Sequence, residues 1–197
     1  MPKRSSGCVR WVVDRSAFQV AHPFFTIGHS TRQIAEFVKL LTLHDIKLVV
    51  DVRKMPRSRT NVQYNAQQLA KALSECGVNY RYIPQLGGLR GKSRVVGESV
   101  NAFWQNQSFH NYADYALSME FRSGLGELRE LGHARVCAVM CAEAVWWRCH
   151  RRIIADYLIA AGETVFHILG PGSADRAHLT KGAIVGAGED VSYPSVD

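Results

Sequence analysis

Short apolar runs alternate with amphipathic segments along most of this chain, and this alternation restricts the folds open to it. Five apolar runs are typical of strands and lie at 24–28, 47–53, 79–83, 135–141 and 164–169. Residues with helical spacing of apolar side chains lie between them, at about 31–43, 66–76, 108–118, 119–131 and 147–161. Strands that alternate with helices form βαβ units with parallel strands. We therefore predict a single α/β domain whose mainly parallel sheet has helices on both faces.

The chain outside this pattern is expected to contribute less to the core. We predict an N-terminal extension at 1–22, in which Trp11-Val12-Val13 is a candidate edge strand, and an α/β catalytic domain at 23–169. Residues 170–197 are rich in Gly, Ser and Ala, which favours a loosely attached or disordered tail. The loop at 84–107 is long for a compact domain, and such loops are often functional.

Composition limits the functional classes. The formal net charge of +7 favours a polyanionic partner, for which we expect DNA, although a basic surface also serves solubility. No apolar run approaches the roughly 20 residues of a membrane span, and no secretion signal is recognisable. Five cysteines, an odd number, argue against a disulfide framework. We predict a cytoplasmic protein without membrane association, resident metal, cofactor or obligate protein partner.

Polar side chains follow three of the predicted strands, and these side chains are the candidate site. His29 and Ser30 follow the first strand, Asp51 and Arg53 end the second, and the segment 141–152 follows the fourth. Ligands bind at the carboxyl ends of strands in open α/β sheets, so we expect the three groups to converge there. A helix start after the fourth strand adds free N–H groups that favour anions.

Three residues are candidates for catalysis. Asp51 or Glu143 could activate water or stabilise a developing sugar cation, and His29 could hydrogen-bond a departing base. Each also has a structural alternative. Glu143 could form an ion pair with Arg148 or Arg151, and His29 could belong to a helix start.

Binding residues are expected on the same loops. The candidates for DNA phosphate contacts are Arg57, Ser58, Arg59, Arg148 and Arg151. The candidates for contacts to a base are Ser30, Arg53, Gln63, Tyr64, Asn65, Trp146 and His150. The alternatives are a solvated basic loop, a helix cap at Asn65 and a core position for one indole of Trp146-Trp147.

Cys141, Cys149 and His150 allow a different chemistry. They could ligate a metal, but the sequence has no Cys-x-x-Cys pair, so the spacing does not favour zinc. Cys141 could be a nucleophile activated by the helix start and the nearby arginines. The alternative is a small buried apolar side chain.

The chain resembles domain-of-unknown-function family 488 from about residue 24 to 169. The resemblance is carried by five ordered motifs, Thr26-Ile27-Gly28-His29-Ser30-Thr31, Val49-Val50-Asp51-Val52-Arg53 with Pro56-Arg57-Ser58, Leu86-Gly87-Gly88, Phe109-His110-Asn111-Tyr112-Ala113-Asp114-Tyr115, and Met140-Cys141-Ala142-Glu143 with Cys149-His150-Arg151. It implies an α/β fold and, from some members, DNA glycosylase activity on modified pyrimidines such as 5-hydroxymethyluracil. Many members have phenylalanine where this chain has Tyr64, which weakens the case for a base contact there.

Three functional hypotheses result. The first is a monofunctional DNA glycosylase that hydrolyses the N-glycosidic bond of a modified pyrimidine, without a Schiff-base step because lysine is sparse among the site residues. The second is a thiol- or metal-dependent enzyme that uses Cys141, Cys149 and His150. The third is a non-catalytic nucleic-acid-binding module.

Overall fold

A six-stranded sheet forms the centre of the protein in a computed structural model that describes residues 22–195. Its strands are β1 (Phe24–Gly28), β2 (Leu48–Asp51), β3 (Asn79–Tyr82), β4 (Cys137–Cys141), β5 (Val165–Gly170) and β6 (Ser173–Arg176). The helices are α1 (Ile34–Leu43), α2 (Ala66–Glu75), α3 (Gln107–Ala116), α4 (Met119–Ala134) and α5 (Arg151–Ala160). A small hairpin follows, with β7 (Ile184–Val185) and β8 (Val191–Ser192). These elements confirm the predicted single α/β domain with a mainly parallel sheet.

The strands lie in the order β3-β2-β4-β1-β5-β6, and only β6 is antiparallel to its neighbour. Every residue of β1, β2 and β4 is buried. Strands covered on both faces lack the alternation of polar and apolar residues that a half-exposed strand shows. This explains why the sequence shows continuous apolar runs at these positions.

Successive side chains of the central strands pack into two separate cores. Leu48 and Val50 belong to the core under α3, α4 and α5, and Val49 belongs to the core under α1 and α2. In β4, Cys137 and Cys141 face the first of these cores. Helices therefore cover both faces, as predicted.

The chain leaves β1 and β4 on opposite faces of the sheet, through α1 and α5 respectively. β2 is the other neighbour of β4 and leaves the sheet through α2, on the face opposite to α5, so a crevice opens between the chains that leave the carboxyl ends of β2 and β4. No helix among residues 22–195 is long and apolar enough to cross a bilayer.

The predicted loose attachment of residues 170–197 is wrong for the part that the structure describes. β6 extends the sheet, and the side chains of Val191 and Tyr193 are fully buried. The Tyr193 hydroxyl donates to Asp156 Oδ2 (2.8 Å), and the backbone N–H of Thr180 donates to Asp156 Oδ1 (2.8 Å). Burial raises the pKa of Asp156, and these bonds partly offset that cost. Individual buried residues therefore hold this segment against the domain. They form no periodic apolar pattern, so the prediction from the Gly, Ser and Ala content did not include them.

Two other predictions need adjustment or lie outside the described residues. The helix expected at 147–161 begins at Arg151, and a 3₁₀ turn, Trp146–Arg148, precedes it. The candidate edge strand Trp11-Val12-Val13 lies outside residues 22–195, as does nearly all of the predicted extension 1–22.

Candidate functional site

A cavity of about 490 Å³ opens at the carboxyl ends of β2 and β4. Its walls come from four segments: the loop after β2, Gly88 and Leu89 near the start of the long loop, the end of that loop with the start of α3, and the loop between β4 and α5. This is the sheet edge at which the sequence places the candidate residues. The volume lies within the range of about 300–1,000 Å³ that is typical of small-ligand sites.

The charge of the cavity is strongly positive. Four cationic side chains line it, Arg53, Lys54, Arg57 and Arg148, and Glu143 is the only acidic side chain among its described lining residues. Arg57, Arg148 and Glu143 are exposed and free to reach a ligand, whereas Arg53 is 5% exposed. This arrangement suits a ligand whose negatively charged part contacts the cationic side chains while an uncharged part lies beside Glu143.

Asp51 and Arg53 form a buried ion pair below the cavity. Arg53 Nη2 and Nε donate to Asp51 Oδ2 at 2.6 and 3.1 Å, and the Tyr80 hydroxyl donates to the same oxygen at 2.7 Å. Asp51 is fully buried and does not line the cavity. The catalytic role predicted for Asp51 is therefore corrected to holding the Arg53 guanidinium, because no substrate atom can reach the carboxylate.

His29 belongs to the same buried network and not to the cavity wall. Its Nδ1–H donates to the Ser30 carbonyl (2.8 Å), so Nε2 accepts from Arg53 Nη1 (3.2 Å). The ring stacks on Tyr64 with centroids 4.0 Å apart. Burial, together with the Arg53 charge, lowers the pKa of His29 to about 4, so the ring is neutral near pH 7. The predicted base contact at His29 does not fit this placement.

The predicted base-reading segment 63–65 has structural contacts instead. The Tyr64 hydroxyl donates to the Arg32 carbonyl (3.1 Å), and its ring is fully buried. The Gln63 amide lies 3.5 Å from the same carbonyl. Asn65 Oδ1 accepts the Ser58 N–H (2.6 Å) and does not cap α2. These side chains shape the loop that carries Arg57, and none of them lines the cavity.

Five further predicted contacts also lie away from the cavity wall: Ser30, Ser58, Arg59, Trp146 and Arg151. The Trp146 ring stacks on the His167 ring with centroids 4.3 Å apart. The backbone N–H of Ser30 donates to the Ala142 carbonyl, which extends the hydrogen bonding between β1 and β4 by one more bond. Arg59 is exposed but outside the cavity, and Arg151 is fully buried. Of the predicted phosphate contacts, only Arg57 and Arg148 line the cavity.

A cluster of two thiols and an imidazole lies in the cavity wall. Cys149 Sγ and Cys141 Sγ lie 3.6 and 4.0 Å from His150 Nδ1. The other ring nitrogen, Nε2, is 3.0 Å from the Val52 carbonyl and must carry the proton to donate to it. Nδ1 faces both sulfurs. All three residues line the cavity.

The two thiols differ in acidity. Burial raises the pKa of Cys149, but hydrogen bonding from Cys141 and the proximity of His150 and Arg151 outweigh it, so its pKa lies well below the usual value. The bond that Cys141 donates to Cys149, together with burial, raises the pKa of Cys141 well above the usual value. Arg151 Nε lies 3.4 Å from Cys149 Sγ, and no ion pair among residues 22–195 includes Arg151. A buried guanidinium needs a compensating anion, which a Cys149 thiolate supplies.

Two glycines allow these segments to approach closely. A Cβ on Gly28 would lie 1.8 Å from the Glu143 carbonyl oxygen, and a Cβ on Gly88 would lie 2.8 Å from His150 Nδ1. Only a hydrogen fits at either position. Gly28 therefore allows the Glu143 loop to cross β1, and Gly88 leaves room for the imidazole.

Several cavity residues were not predicted as site residues from the sequence. They are Lys54, Met55, Gly88, Leu89, Asn106, Ser108, Phe109, Tyr112 and Ala142. The signals available were the length of the loop at 84–107 and three of the family motifs, which contain Gly88, Phe109, Tyr112 and Ala142. Tyr112 is almost fully buried, and its hydroxyl donates to the Leu86 carbonyl (2.8 Å), which ties the long loop to α3.

The fold and the cavity define an α/β protein with a basic site, walled by cysteine and histidine, at the carboxyl edge of its sheet. The chain belongs to the family described as domain of unknown function DUF488, whose model matches residues 33–158, more than half of the chain. This match confirms the resemblance, although the motif at 26–31 lies outside the matched range. No curated protein and no solved structure matches the chain.

Proposed function

We propose that the protein is a DNA glycosylase that hydrolyses the N-glycosidic bond of a modified pyrimidine such as 5-hydroxymethyluracil. The observation that carries the proposal is the composition of the cavity, in which a single exposed carboxylate, Glu143, lies among four cationic side chains. A cavity of about 490 Å³ can hold one extrahelical nucleotide. The cationic rim supplies the phosphate contacts that hold it.

Each wall of the cavity has a role in this proposal. Arg57 and Arg148 contact phosphates beside the target nucleotide, since both are exposed at the opening. The Phe109 ring lines the cavity and has Trp104 stacked on one face, so it is our candidate for stacking on the base. Arg53 is held in place by Asp51, and its guanidinium forms part of the cavity wall.

Glu143 is the catalytic residue of the proposed reaction. As the carbon–nitrogen bond breaks, the base leaves with the bonding electron pair and the sugar develops positive charge. The Glu143 carboxylate takes a proton from water while the water oxygen bonds to the sugar carbon, and a solvent proton neutralises the departing base. Loss of such a group typically lowers the rate by about 10²–10⁴-fold.

A panel of duplexes tests the proposal. Oligonucleotides that contain 5-hydroxymethyluracil, uracil or a thymine mismatch are incubated with the protein, and abasic sites are then cleaved with alkali. Strand scission on at least one modified duplex, but not on an unmodified duplex, is the expected result. Salt-sensitive DNA binding without scission on any duplex would reject base excision and leave a non-catalytic binding module.

Thiol chemistry is the second candidate function, and the Cys149 environment favours it. A thiolate stabilised by Arg151 and beside an imidazole is a nucleophile that opens onto the cavity. In that case Cys149→Ser abolishes turnover and Glu143→Gln retains it. The base-excision proposal requires that Glu143→Gln abolish scission, so the two variants separate the candidates.

The location and partners follow from the same proposal. A glycosylase of this kind acts on DNA in the cytoplasm, and the proposal includes no obligate protein partner. Fluorescence of a tagged protein that coincides with the nucleic-acid stain is the expected result. Exclusion of the protein from the DNA-containing region would contradict it.

A further inference from the structure

Three good metal ligands converge where the carboxyl end of β4 meets the start of α5. The ligand atoms of Cys141, Cys149 and His150 all lie within 4.8 Å of one another. Among residues 22–195, these three residues form the group of His, Cys, Asp or Glu side chains close enough together to hold a metal ion. Cys149 has an extended backbone and His150 a helical one. The two consecutive side chains therefore turn toward the same point, which residue spacing in the sequence does not reveal.

The two sulfur–nitrogen distances are close to those of a tetrahedral zinc site. With zinc bonds of about 2.3 Å to sulfur and 2.0–2.1 Å to nitrogen, sulfur and nitrogen ligands lie roughly 3.6 Å apart. Cys149 Sγ and Cys141 Sγ lie 3.6 and 4.0 Å from His150 Nδ1. A metal could therefore bind with shifts of a few tenths of an ångström.

The surroundings prepare these donors for a metal. The Nε2–H of His150 donates to the Val52 carbonyl, which orients the ring with Nδ1 toward the two sulfurs, the arrangement of a zinc-bound histidine whose other nitrogen donates to a backbone carbonyl. Arg151 Nε donates to Cys149 Sγ and favours the thiolate form that binds metal. Gly88 keeps the space beside the imidazole open.

We propose that Cys141, Cys149 and His150 bind one Zn²⁺ ion and leave its fourth coordination position open to the cavity. Two thiolates and one imidazole select a borderline-soft ion such as zinc. Three protein ligands with an open position are typical of catalytic zinc sites, in which the fourth ligand is water. Glu143 lines the same cavity and is not one of the three ligands. If base excision is the reaction, this water is the one that Glu143 deprotonates; the zinc site itself does not depend on that proposal.

Metal content tests the site without any substrate. The full chain, with affinity tags removed, is purified under reducing conditions, stripped with a chelator and dialysed against zinc, and its metal is measured by mass spectrometry. We expect one zinc per chain. Replacement by Co²⁺ should give the strong visible bands of tetrahedral cobalt and a near-ultraviolet thiolate charge-transfer band.

Variants show whether these residues are the ligands. Cys141→Ser and Cys149→Ser should lose the zinc and the charge-transfer band. Cys137→Ser should keep both, because Cys137 is an equally buried thiol on the same side of β4 outside the cluster. Gly88→Ala should weaken zinc binding by about 10–100-fold by displacing the imidazole.

Two results would overturn the proposal. One is wild-type protein that holds less than a tenth of an equivalent of zinc and gives no thiolate band with cobalt. The other is unchanged zinc content in both Cys141→Ser and Cys149→Ser. The cobalt spectrum of the wild-type chain keeps the test valid even if a variant fails to fold. A chain that binds zinc but cleaves no duplex would reject base excision alone.

Discussion

Replacement of Asp51 by asparagine separates a structural carboxylate from a catalytic one. The two Asp51 oxygens accept hydrogen bonds from the backbone N–H of Arg53, its guanidinium and the Tyr80 hydroxyl. In Asp51→Asn an amide N–H₂ replaces one carboxylate oxygen. Both oxygen positions face hydrogen-bond donors, so in either orientation of the amide its N–H₂ group would face another donor. The substitution also leaves the Arg53 charge, which is 5% exposed, without its partner.

The structure gives the size of the effect. Removal of one member of a buried ion pair costs about 3–5 kcal/mol, because the other charge stays buried and unpaired. Domains of this kind have total stabilities of roughly 5–15 kcal/mol, so Asp51→Asn should lose a large part of the free energy of unfolding. Tyr80→Phe keeps the ion pair and removes one hydrogen bond, so it should cost only about 0.5–1.5 kcal/mol.

Denaturant unfolding followed by circular dichroism and tryptophan fluorescence measures these values. Asp45→Asn is the matched control, because Asp45 pairs with Lys47 on the surface. Its effect should stay within about 0.5 kcal/mol. If Asp51→Asn changes stability by less than about 1 kcal/mol while base release stops, Asp51 has a catalytic role and our assignment of it to the buried network is wrong.

Three further predictions follow from the same contacts. Arg57→Ala should lower the slope of log K against log salt for DNA binding by about 0.9, whereas Arg59→Ala, on the same loop outside the cavity, should change it much less in fluorescence-anisotropy titrations. Burial, with a contribution from the Arg151 charge, lowers the pKa of His167 to about 4, so the unfolded chain binds a proton first as pH falls below about 6.5. The contribution of His167 to stability should therefore decrease by roughly 2 kcal/mol between pH 7 and 5, and this part of the decrease should be absent from the urea titrations of His167→Gln. Tyr193→Phe should cost about 1–3 kcal/mol in thermal or urea unfolding because Asp156 loses a buried donor, and an unchanged midpoint would show that this hydrogen bond contributes no stability.

The apolar runs and the helical spacing of apolar residues were sufficient to predict the five parallel strands and the five helices. Continuous apolar runs occur where a strand is covered on both faces, and the runs of β1, β2 and β4 are fully buried. Strand order and the position of β6 were not predictable, since they depend on contacts between segments that are distant along the chain. The anchors Asp156 and Tyr193 are of this kind, because each is a single residue without a pattern around it.

The candidate site was predicted at the right edge of the sheet but with too many residues. Asp51, His29 and Tyr64 follow strands or lie near their ends, yet their side chains turn into a buried network with Arg53. The sequence shows that a polar residue ends a strand, but it does not show whether a neighbouring strand supplies a partner such as Tyr80. Such a partner converts an accessible carboxylate into an enclosed one.

For the cysteine cluster, by contrast, the sequence predicted too little, because it did not indicate that the residues lie close together. Cys141 and Cys149 are separated by a loop of seven residues, which no common zinc motif has. The strand end and the helix start bring them together with His150 because the loop folds back over Gly28. The separation of the cysteines along the chain therefore did not predict that they lie together.

The single-turnover rate of base release by Glu143→Gln tests the central claim most directly. With enzyme in excess over a duplex that contains 5-hydroxymethyluracil, we expect a decrease of about 10²–10⁴-fold with no loss of stability or DNA binding, because Glu143 is an exposed side chain of the cavity. Glu75→Gln, an exposed position at the end of α2, should retain the wild-type rate. Base release by Glu143→Gln at the wild-type rate would contradict the assignment of this carboxylate as the catalyst.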